Sequence, residues 1–275
     1  MIEEKKDLRR EYPSVVDLAY TQYKKFRKVD EIMSRDVVTV GSEVTMEGAA
    51  KVMGEKHIGS LIVIKYSTPI AIVTERDLLS RVLAEGRNPA DVIVEEVMSY
   101  PLITICPKIS IKEAAQTMIK NKGRLAVFEC GKLVGIVTAS DLIRSLPDVP
   151  EAMIKVDDFM TKKVISYDRS TFISDLVKVM GKKRIGSIII NKEEKPIGIF
   201  TERDLLTAFL SKGKTLDMPV DNHYSTPLIT IPLGTSINKA ATIMATKHVR
   251  RLPITQDEKI IGIITARDLV EAYAK

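Results

Sequence analysis

The pattern of apolar and polar positions in residues 29–86 predicts alternating short strands and helices. A β-rich run at 37–40 comes first. The apolar residues that follow recur at three-to-four spacing, which is typical of one buried helix face. These residues are Val44, Ala49, Val52 and Met53.

Two continuous apolar runs come next, at 61–64 and 70–73, separated by a predicted turn around Pro69. Short runs of this kind are typical of strands that are buried on both faces of a sheet. Thr74 then opens a second helix, which is expected to end near Gly86. The predicted order is therefore β-α-β-β-α.

This unit occurs four times. A Thr-x-x-Asp-Leu motif recurs with threonines 64, 63 and 64 residues apart. A shift of 127 residues aligns 29–86 with 156–213 without a gap, and about 25 of those 58 positions are identical. The second and fourth copies also resemble each other, as in 101–105 and 227–231. The chain is therefore a duplicated pair of repeats.

A single unit of about 60 residues buries little surface and is marginally stable by itself. Pairing of neighbouring copies predicts two modules, near 29–147 and 156–275, joined at 146–150, where two prolines break helix. The predicted repeats are residues 29–86, 94–147, 156–213 and 220–275.

Residues 1–28 lie outside the repeats and form a basic arm. Their apolar positions fit one side of a helix beginning near Pro13. The arm holds eight Lys/Arg against five Asp/Glu, half of the chain's net charge of +6. It either caps the first module or serves as a docking or anion-binding segment.

Composition narrows the class of protein. The 275 residues are 45% hydrophobic and 28% charged, which excludes a disordered chain. No apolar run approaches the roughly 18 residues of a membrane span, and the start of the chain lacks a signal-peptide pattern. We therefore expect a cytoplasmic protein without membrane contact. Three histidines and two cysteines predict no metal site, and Cys106 and Cys130 are expected to be small buried hydrophobes.

The basic balance favours small anions over a polymer. Beyond the arm, only +3 is spread over about 247 residues, and aromatic residues make up 5% of the chain. Nucleic-acid proteins usually show a denser basic patch with aromatic side chains for stacking. Nucleic acid therefore remains a possible but less favoured partner.

The Thr-x-x-Asp motif has two interpretations. Threonine followed three residues later by an acid is a capping box, which only begins a helix. A strand glycine precedes three of the motifs, and glycine in a strand often marks a close approach to the backbone. Three motifs also carry arginine before the aspartate. Free amides, a carboxylate and an arginine together suit a phosphorylated ribose.

These motifs resemble the cystathionine-β-synthase (CBS) domain family. The Val-x-x-x-Met starts (29–33, 94–98, 156–160) and the Gly-apolar-apolar-Thr-x-x-Asp ends match that family over about 245 residues. The resemblance implies an α/β (α+β) fold of four β-α-β-β-α repeats, packed as two pseudo-twofold Bateman modules in a disc. The layout is similar to the γ subunit of AMP-activated protein kinase. Paired CBS domains bind adenosine-containing ligands, chiefly AMP, ADP, ATP or S-adenosylmethionine.

The resemblance also implies roles for individual residues. Ribose would be bound by Asp77, Asp141, Asp204 and Asp268, and ribose or phosphate by the hydroxyls of Thr74, Thr138, Thr201 and Thr265. Phosphate would be bound by Arg76, Arg124, Arg203, Arg250, Arg251 and Arg267. Adenine would lie near Val37 and Ile58, or Val164 and Ile185.

The repeats depart from this pattern unequally, so we expect fewer than four equivalent sites. Repeats one and three have Gly59 and Gly186 where the others carry arginine. Repeat two has Ser140 in place of the motif arginine, and repeat one has Ala71 in place of the strand glycine. Phosphate charge in repeats one and three would come from the motif arginines or from Lys56, His57, Lys183 and Arg184.

No nucleophile–base pair, metal cluster or cofactor motif points to catalysis. The sequence therefore predicts a stand-alone regulator that is not an enzyme, has no cofactor, and binds AMP, ADP or ATP, or alternatively S-adenosylmethionine. Ligand binding would alter its contact with a protein partner or a second copy. The alternatives are an interaction scaffold with degenerate sites and a nucleic-acid binder.

Overall fold

The computed structural model describes residues 27–145 and 154–275. The predicted helix of the N-terminal arm and the junction at 146–150 lie outside the described residues. The described chain contains four three-stranded sheets, one in each repeat. In each, the first strand is parallel to the second, and the second is antiparallel to the third.

Repeats one and three have the same element order. Repeat one consists of β1 (Thr39–Gly41), α1 (Met46–Glu55), β2 (Ser60–Lys65), β3 (Thr68–Thr74) and α2 (Glu75–Arg81). Repeat three consists of β7 (Ser166–Asp168), α6 (Ile173–Lys183), β8 (Ser187–Lys192), β9 (Lys195–Thr201) and α7 (Glu202–Ala208).

Repeats two and four follow the same plan with shorter first strands. Repeat two has α3 (Val94–Val97), β4 (Thr104–Ile105), α4 (Ile111–Asn121), β5 (Leu125–Glu129), β6 (Lys132–Val137) and α5 (Ala139–Arg144). Repeat four has β10 (Ile231–Pro232), α8 (Ile237–Thr246), β11 (Arg251–Gln256), β12 (Lys259–Thr265) and α9 (Ala266–Ala274). The predicted β-α-β-β-α order is thus confirmed.

The hairpin turn of repeat one lies earlier than the sequence predicted. Tyr66 and Ser67 take left-handed backbone angles, with φ of 49° and 61°, and Pro69 lies inside β3. Two consecutive positive φ values are the signature of a two-residue turn whose twist matches the flanking strands. The proline is tolerated because β3 is an edge strand of its sheet.

Within a module, the two repeats join through their sheets. The start of each repeat runs beside the last strand of its partner, as in the bridges between Ser34 and Ile136 and between Ile72 and Ser99. Ile62, Ile72 and Ala126 form a buried apolar cluster between the sheets of repeats one and two. Equivalent bridges join Thr161 to Ile263 and Ile199 to Ser225 in the second module.

Between modules, the contact is made by helices. One core cluster contains residues of α4 and α5 together with residues of α8 and α9, so repeats two and four share a core. Leu206 of repeat three packs in the core of repeat one, and Leu79 of repeat one packs in the core of repeat three. Each repeat therefore touches one neighbour through its sheet and another through its helices, which gives the expected disc.

Two helix glycines permit this close approach. A Cβ on Gly181 of α6 would lie 2.2 Å from Cβ of Ala84, and a Cβ on Gly54 of α1 would lie 2.3 Å from Cβ of Ser211. Ala84 and Ser211 belong to 3₁₀ turns that follow α2 and α7. The two contacts are related by the internal repeat and fix how closely the modules pack.

Candidate functional site

The four predicted capping boxes are all formed. In repeat one, the backbone N–H and the hydroxyl of Thr74 both donate to Oδ2 of Asp77, at 2.9 and 2.7 Å. The same two bonds join Thr138 to Asp141, Thr201 to Asp204 and Thr265 to Asp268. Each threonine and one oxygen of each aspartate are therefore used to begin a helix.

The second carboxylate oxygen separates the aspartates into two kinds. Oδ1 of Asp77 lies 3.5 Å from the hydroxyl oxygen of Ser99, and Oδ1 of Asp204 accepts from the Ser225 hydroxyl at 3.2 Å. Burial raises the pKa of both carboxyls, as it also does for Asp268. The other two aspartates, Asp141 and Asp268, differ in that their Oδ1 atoms accept no hydrogen bond from any described residue.

The strand glycines serve the fold rather than a ligand. A Cβ on Gly135 would lie 2.6 Å from Sδ of Met33, and one on Gly262 would lie 2.5 Å from Sδ of Met160. A Cβ on Gly198 would lie 2.3 Å from a ring carbon of Tyr224. The group that approaches the backbone is thus the starting segment of the partner repeat.

Arginines of repeats one and three cross between the modules. Nε of Arg76 donates to Oε1 of Glu202 at 3.1 Å, which links repeat one to repeat three. In the reverse direction, Nε of Arg203 lies 3.9 Å from Oε2 of Glu75, and its Nη1 donates to the carbonyl of His57 at 2.9 Å. The motif arginines therefore face the other module.

Repeat four supplies two further arginines to the same place. Nη2 of Arg250 donates to Oε1 of Glu75 at 2.8 Å, and Nη2 of Arg251 donates to Oε2 of Glu202 at 2.8 Å. The Arg251 side chain is only 13% exposed. Burial lowers its pKa while Glu202 raises it, and repulsion by Arg250 lowers it further.

Arg124 contributes the charge of repeat two. It is half-buried, and it lies close enough to Glu75 to help lower the pKa of that carboxyl. Burial lowers the pKa of the Arg124 guanidinium itself, and Glu75 opposes that shift. We call this cluster the arginine hub: Arg76, Arg124, Arg203, Arg250 and Arg251 around Glu75 and Glu202.

All four repeats contribute to the arginine hub, with five positive and two negative charges. Sequence reasoning selected the five arginines but missed Glu75 and Glu202, which are each 5% exposed. The signal was present, because the residue after the motif threonine is glutamate in repeats one and three and alanine, Ala139 and Ala266, in the others.

Glycine at the start of the second strand makes room for these glutamates. A Cβ on Gly59 would lie 2.8 Å from Oε1 of Glu75. A Cβ on Gly186 would lie 2.0 Å from Nη2 of Arg251 and 2.6 Å from Oε2 of Glu202. Repeats one and three therefore have glycine in place of arginine at this position, and the glycine leaves room for the glutamate side chain and for the arginine that binds it.

Other predicted residues lie away from the arginine hub. Nη1 of Arg267 donates to the carbonyl of Lys122 at 3.4 Å, a contact between repeats four and two. The neighbouring basic residues are exposed: Lys56, His57, Lys183 and Arg184. The expected adenine residues are half-buried: Val37, Ile58, Val164 and Ile185.

The expectation for the cysteines was wrong. Cys106 and Cys130 are both exposed. Cys130 occupies a left-handed position, with φ of 48°, in the turn between β5 and β6, which places it at a hairpin tip. Small apolar character did not decide burial here, since the turn carries the side chain away from the core.

Neither described range, 27–145 or 154–275, holds a group of three or more His, Cys, Asp or Glu residues able to bind a metal ion. Neither has a helix that is both long enough and apolar enough to cross a membrane.

Four segments of the chain match the family model described as "CBS domain", at residues 29–84, 94–148, 156–211 and 220–275. Protein MJ1404 of Methanocaldococcus jannaschii is 29% identical over 268 residues, 90% of this chain. Protein MK0525 of Methanopyrus kandleri is 38% identical over 122 residues, 43% of this chain. Both are uncharacterized, and each alignment spans 62% of the relative's length.

The crystal structure of MJ1225 from Methanocaldococcus jannaschii has a similar fold. The superposition has a TM-score of 0.74 at 24% identity and covers 90% of this chain and all of MJ1225. MJ1225 is described as a candidate archaeal homologue of γ-AMPK. An uncharacterized conserved protein from Pyrococcus horikoshii superimposes with a TM-score of 0.62 at 20% identity, over the same share of this chain.

Proposed function

The chain belongs to the CBS-domain family, whose domains are regulatory ligand-binding modules, and on this premise we propose that it binds adenine nucleotides between its paired repeats. The arginine hub carries this proposal. Five arginines from four repeats surround Glu75 and Glu202, with Asp77 and Asp204 near some of them, so positive groups outnumber negative ones there. Guanidinium groups in this density are suited to phosphate oxygens.

The free oxygens of the motif aspartates support a ribose site beside the phosphates. A carboxylate can accept hydrogen bonds from the two hydroxyls of a ribose. In repeats two and four, Oδ2 is used by the cap, and Oδ1 accepts no hydrogen bond from the part of the chain that the structure describes, so it can accept one from a ligand. In repeats one and three, adenine would lie near the half-buried residues of the strand starts, Val37 with Ile58 and Val164 with Ile185.

Regulation would follow from the shared position of the arginine hub. Three of its four ion pairs join the first module to the second, so a ligand that recruits these arginines changes contacts between modules. A ligand shifts a conformational equilibrium by its difference in affinity for the two states. The surface offered to a protein partner or a second copy would change with it. We propose a binding function without catalysis.

An interaction scaffold is the second candidate, and the four complete capping boxes favour it. If the aspartates only begin helices, the motif needs no ligand. Nucleic acid is less favoured because aromatic residues for stacking make up only 5% of the chain and its net charge of +6 is modest for its length.

Nucleotide binding is expected to stabilise the folded chain. A ligand that binds only the folded state adds about 1.4 kcal/mol at ten times its Kd. We expect AMP or ATP to raise the melting temperature of the ligand-stripped full chain, with calorimetric titration giving the affinities of AMP, ADP, ATP and S-adenosylmethionine. No shift with any of them at millimolar concentration would leave the scaffold as the better description.

Replacing Asp268 by asparagine is expected to separate ligand binding from helix capping. The asparagine carbonyl can still accept a hydrogen bond from Thr265, so the free energy of unfolding should change by less than about 0.5 kcal/mol. Its amide nitrogen cannot accept from a ribose hydroxyl, so we expect AMP affinity to fall by about tenfold. Asp175→Asn on the exposed face of α6 is the matched control. Unchanged AMP affinity in Asp268→Asn would remove this aspartate from the proposed ribose site.

A further inference from the structure

Glu75 and Glu202 are buried carboxylates in the middle of a proposed anion site. Each follows the motif threonine of an odd-numbered repeat, and each is 5% exposed. Burying a charge is costly unless it is paired and hydrogen bonded. The even-numbered repeats begin the same helix with alanine, so capping does not need the glutamate. The carboxylates must therefore be explained by the groups that surround them.

Arginines from two other repeats form ion pairs with each carboxylate. Glu75 of repeat one is bound by Arg250 of repeat four and lies near Arg203 of repeat three. Glu202 of repeat three is bound by Arg251 of repeat four and Arg76 of repeat one. The carboxylates thus occupy guanidinium groups that the proposed function assigns to phosphate.

One of these contacts is incomplete. Oε2 of Glu75 and Nε of Arg203 are both buried, and neither has a hydrogen-bond partner among the described residues. They lie 3.9 Å apart, too far for a hydrogen bond. Buried polar groups are nearly always satisfied, so an unpaired acceptor facing an unpaired donor marks a place where an exchange of partners costs little.

We propose that Glu75 and Glu202 determine specificity by competing with ligand phosphates for the hub arginines, so that the site favours a nucleoside monophosphate over a triphosphate. This inference rests on the proposed function. A fixed carboxylate repels each phosphate charge brought near it, and the penalty grows with the charge of the ligand. An uncharged nucleoside would not sense the glutamates at all.

The test compares ligands of increasing charge on the full chain. Glu75→Gln and Glu202→Gln keep an oxygen that accepts from arginine and remove the negative charge. We expect each to raise ATP affinity by about tenfold and AMP affinity by about threefold, with adenosine unchanged, in calorimetric titrations. Added salt should shrink the gain for ATP, because it screens charge. Glu258→Gln, at the hairpin tip between β11 and β12, is the matched control.

The change in the ratio of ATP affinity to AMP affinity decides the outcome. Equal changes for both nucleotides, or weaker ATP binding, in Glu75→Gln and Glu202→Gln would overturn the inference while the proposed function stands. If no nucleotide binds the unsubstituted chain or either glutamine variant, both fail. If ATP binds only the variants, the competition is supported and nucleotide binding by the unsubstituted chain is refuted.

Folding of the variants gives a second readout. If Glu75→Gln or Glu202→Gln unfolds without ligand, repulsion between the remaining arginines is the expected cause. ATP or inorganic tripolyphosphate should then restore the helical circular dichroism signal, and adenosine should not. Failure of both anions to restore it would overturn the inference.

Discussion

The Gly181→Val variant is expected to lower the free energy of unfolding by about 3 kcal/mol. A Cβ at this position of α6 would lie 2.2 Å from Cβ of Ala84 and 3.1 Å from the carbonyl oxygen of Leu79. The carbonyl belongs to the backbone of α2 and cannot turn away. The added side chain must therefore push the two modules apart along the helix interface, which exposes apolar surface on both.

The adjacent position on the same helix provides the control. Lys182 is exposed, so Lys182→Val introduces the same side chain without a steric conflict and should change stability by less than about 1 kcal/mol. Urea denaturation followed by circular dichroism measures both variants. A loss in Gly181→Val no larger than that in Lys182→Val would show that the modules do not pack as closely as the structure has them.

The sequence predicted what lies within a repeat better than what lies between repeats. Apolar runs and helical spacing identify β2, β3 and α1, because each pattern depends on local burial alone. The pairing of α6 with the elements around Ala84 depends on which helix faces meet across the chain. Gly181 and Gly54 are consistent with a close helix contact. A glycine in a helix can have several other causes, however, and the sequence alone does not show which residue packs against it.

The candidate site was partly predictable for the same reason. The four Thr-x-x-Asp motifs could be found by repetition, and the structure places each as a cap. The ion pairs of Glu75 and Glu202 join residues up to 175 positions apart, and no spacing rule connects them. Repeats two and four have arginine at the position of Gly59 and alanine at the position of Glu75. These two differences can be connected only once the structure shows that Gly59 and Glu75 are in contact.

The Arg250→Met variant is expected to lower stability at neutral pH by about 3 kcal/mol. Removing one partner of a buried ion pair leaves an uncompensated charge, which typically costs about 3 to 5 kcal/mol. We expect a value near the lower end because Arg203 and Arg124 still lie near Glu75. Among the described residues, Glu75 would keep no hydrogen bond from arginine, since Nε of Arg203 lies 3.9 Å from its Oε2. Arg144→Met is the control, because Arg144 is exposed.

The pH dependence of this loss distinguishes electrostatics from packing. In the native chain, Arg250, Arg124 and Arg203 outweigh burial and hold the pKa of Glu75 below its ordinary value of 4.5. A lowered pKa contributes stability that is present above the unfolded value and is lost as the pH falls through the folded one. The deficit of Arg250→Met should therefore be complete at pH 7 and should shrink as the pH falls from the unfolded value of 4.5 through the lowered pKa of Glu75 in the native chain. Denaturant titrations between pH 3.5 and 7 provide the measurement. A deficit that stays constant across this range would mean that Arg250 stabilises the fold through packing rather than through its charge. The burial of Glu75 would then not depend on the Arg250 charge.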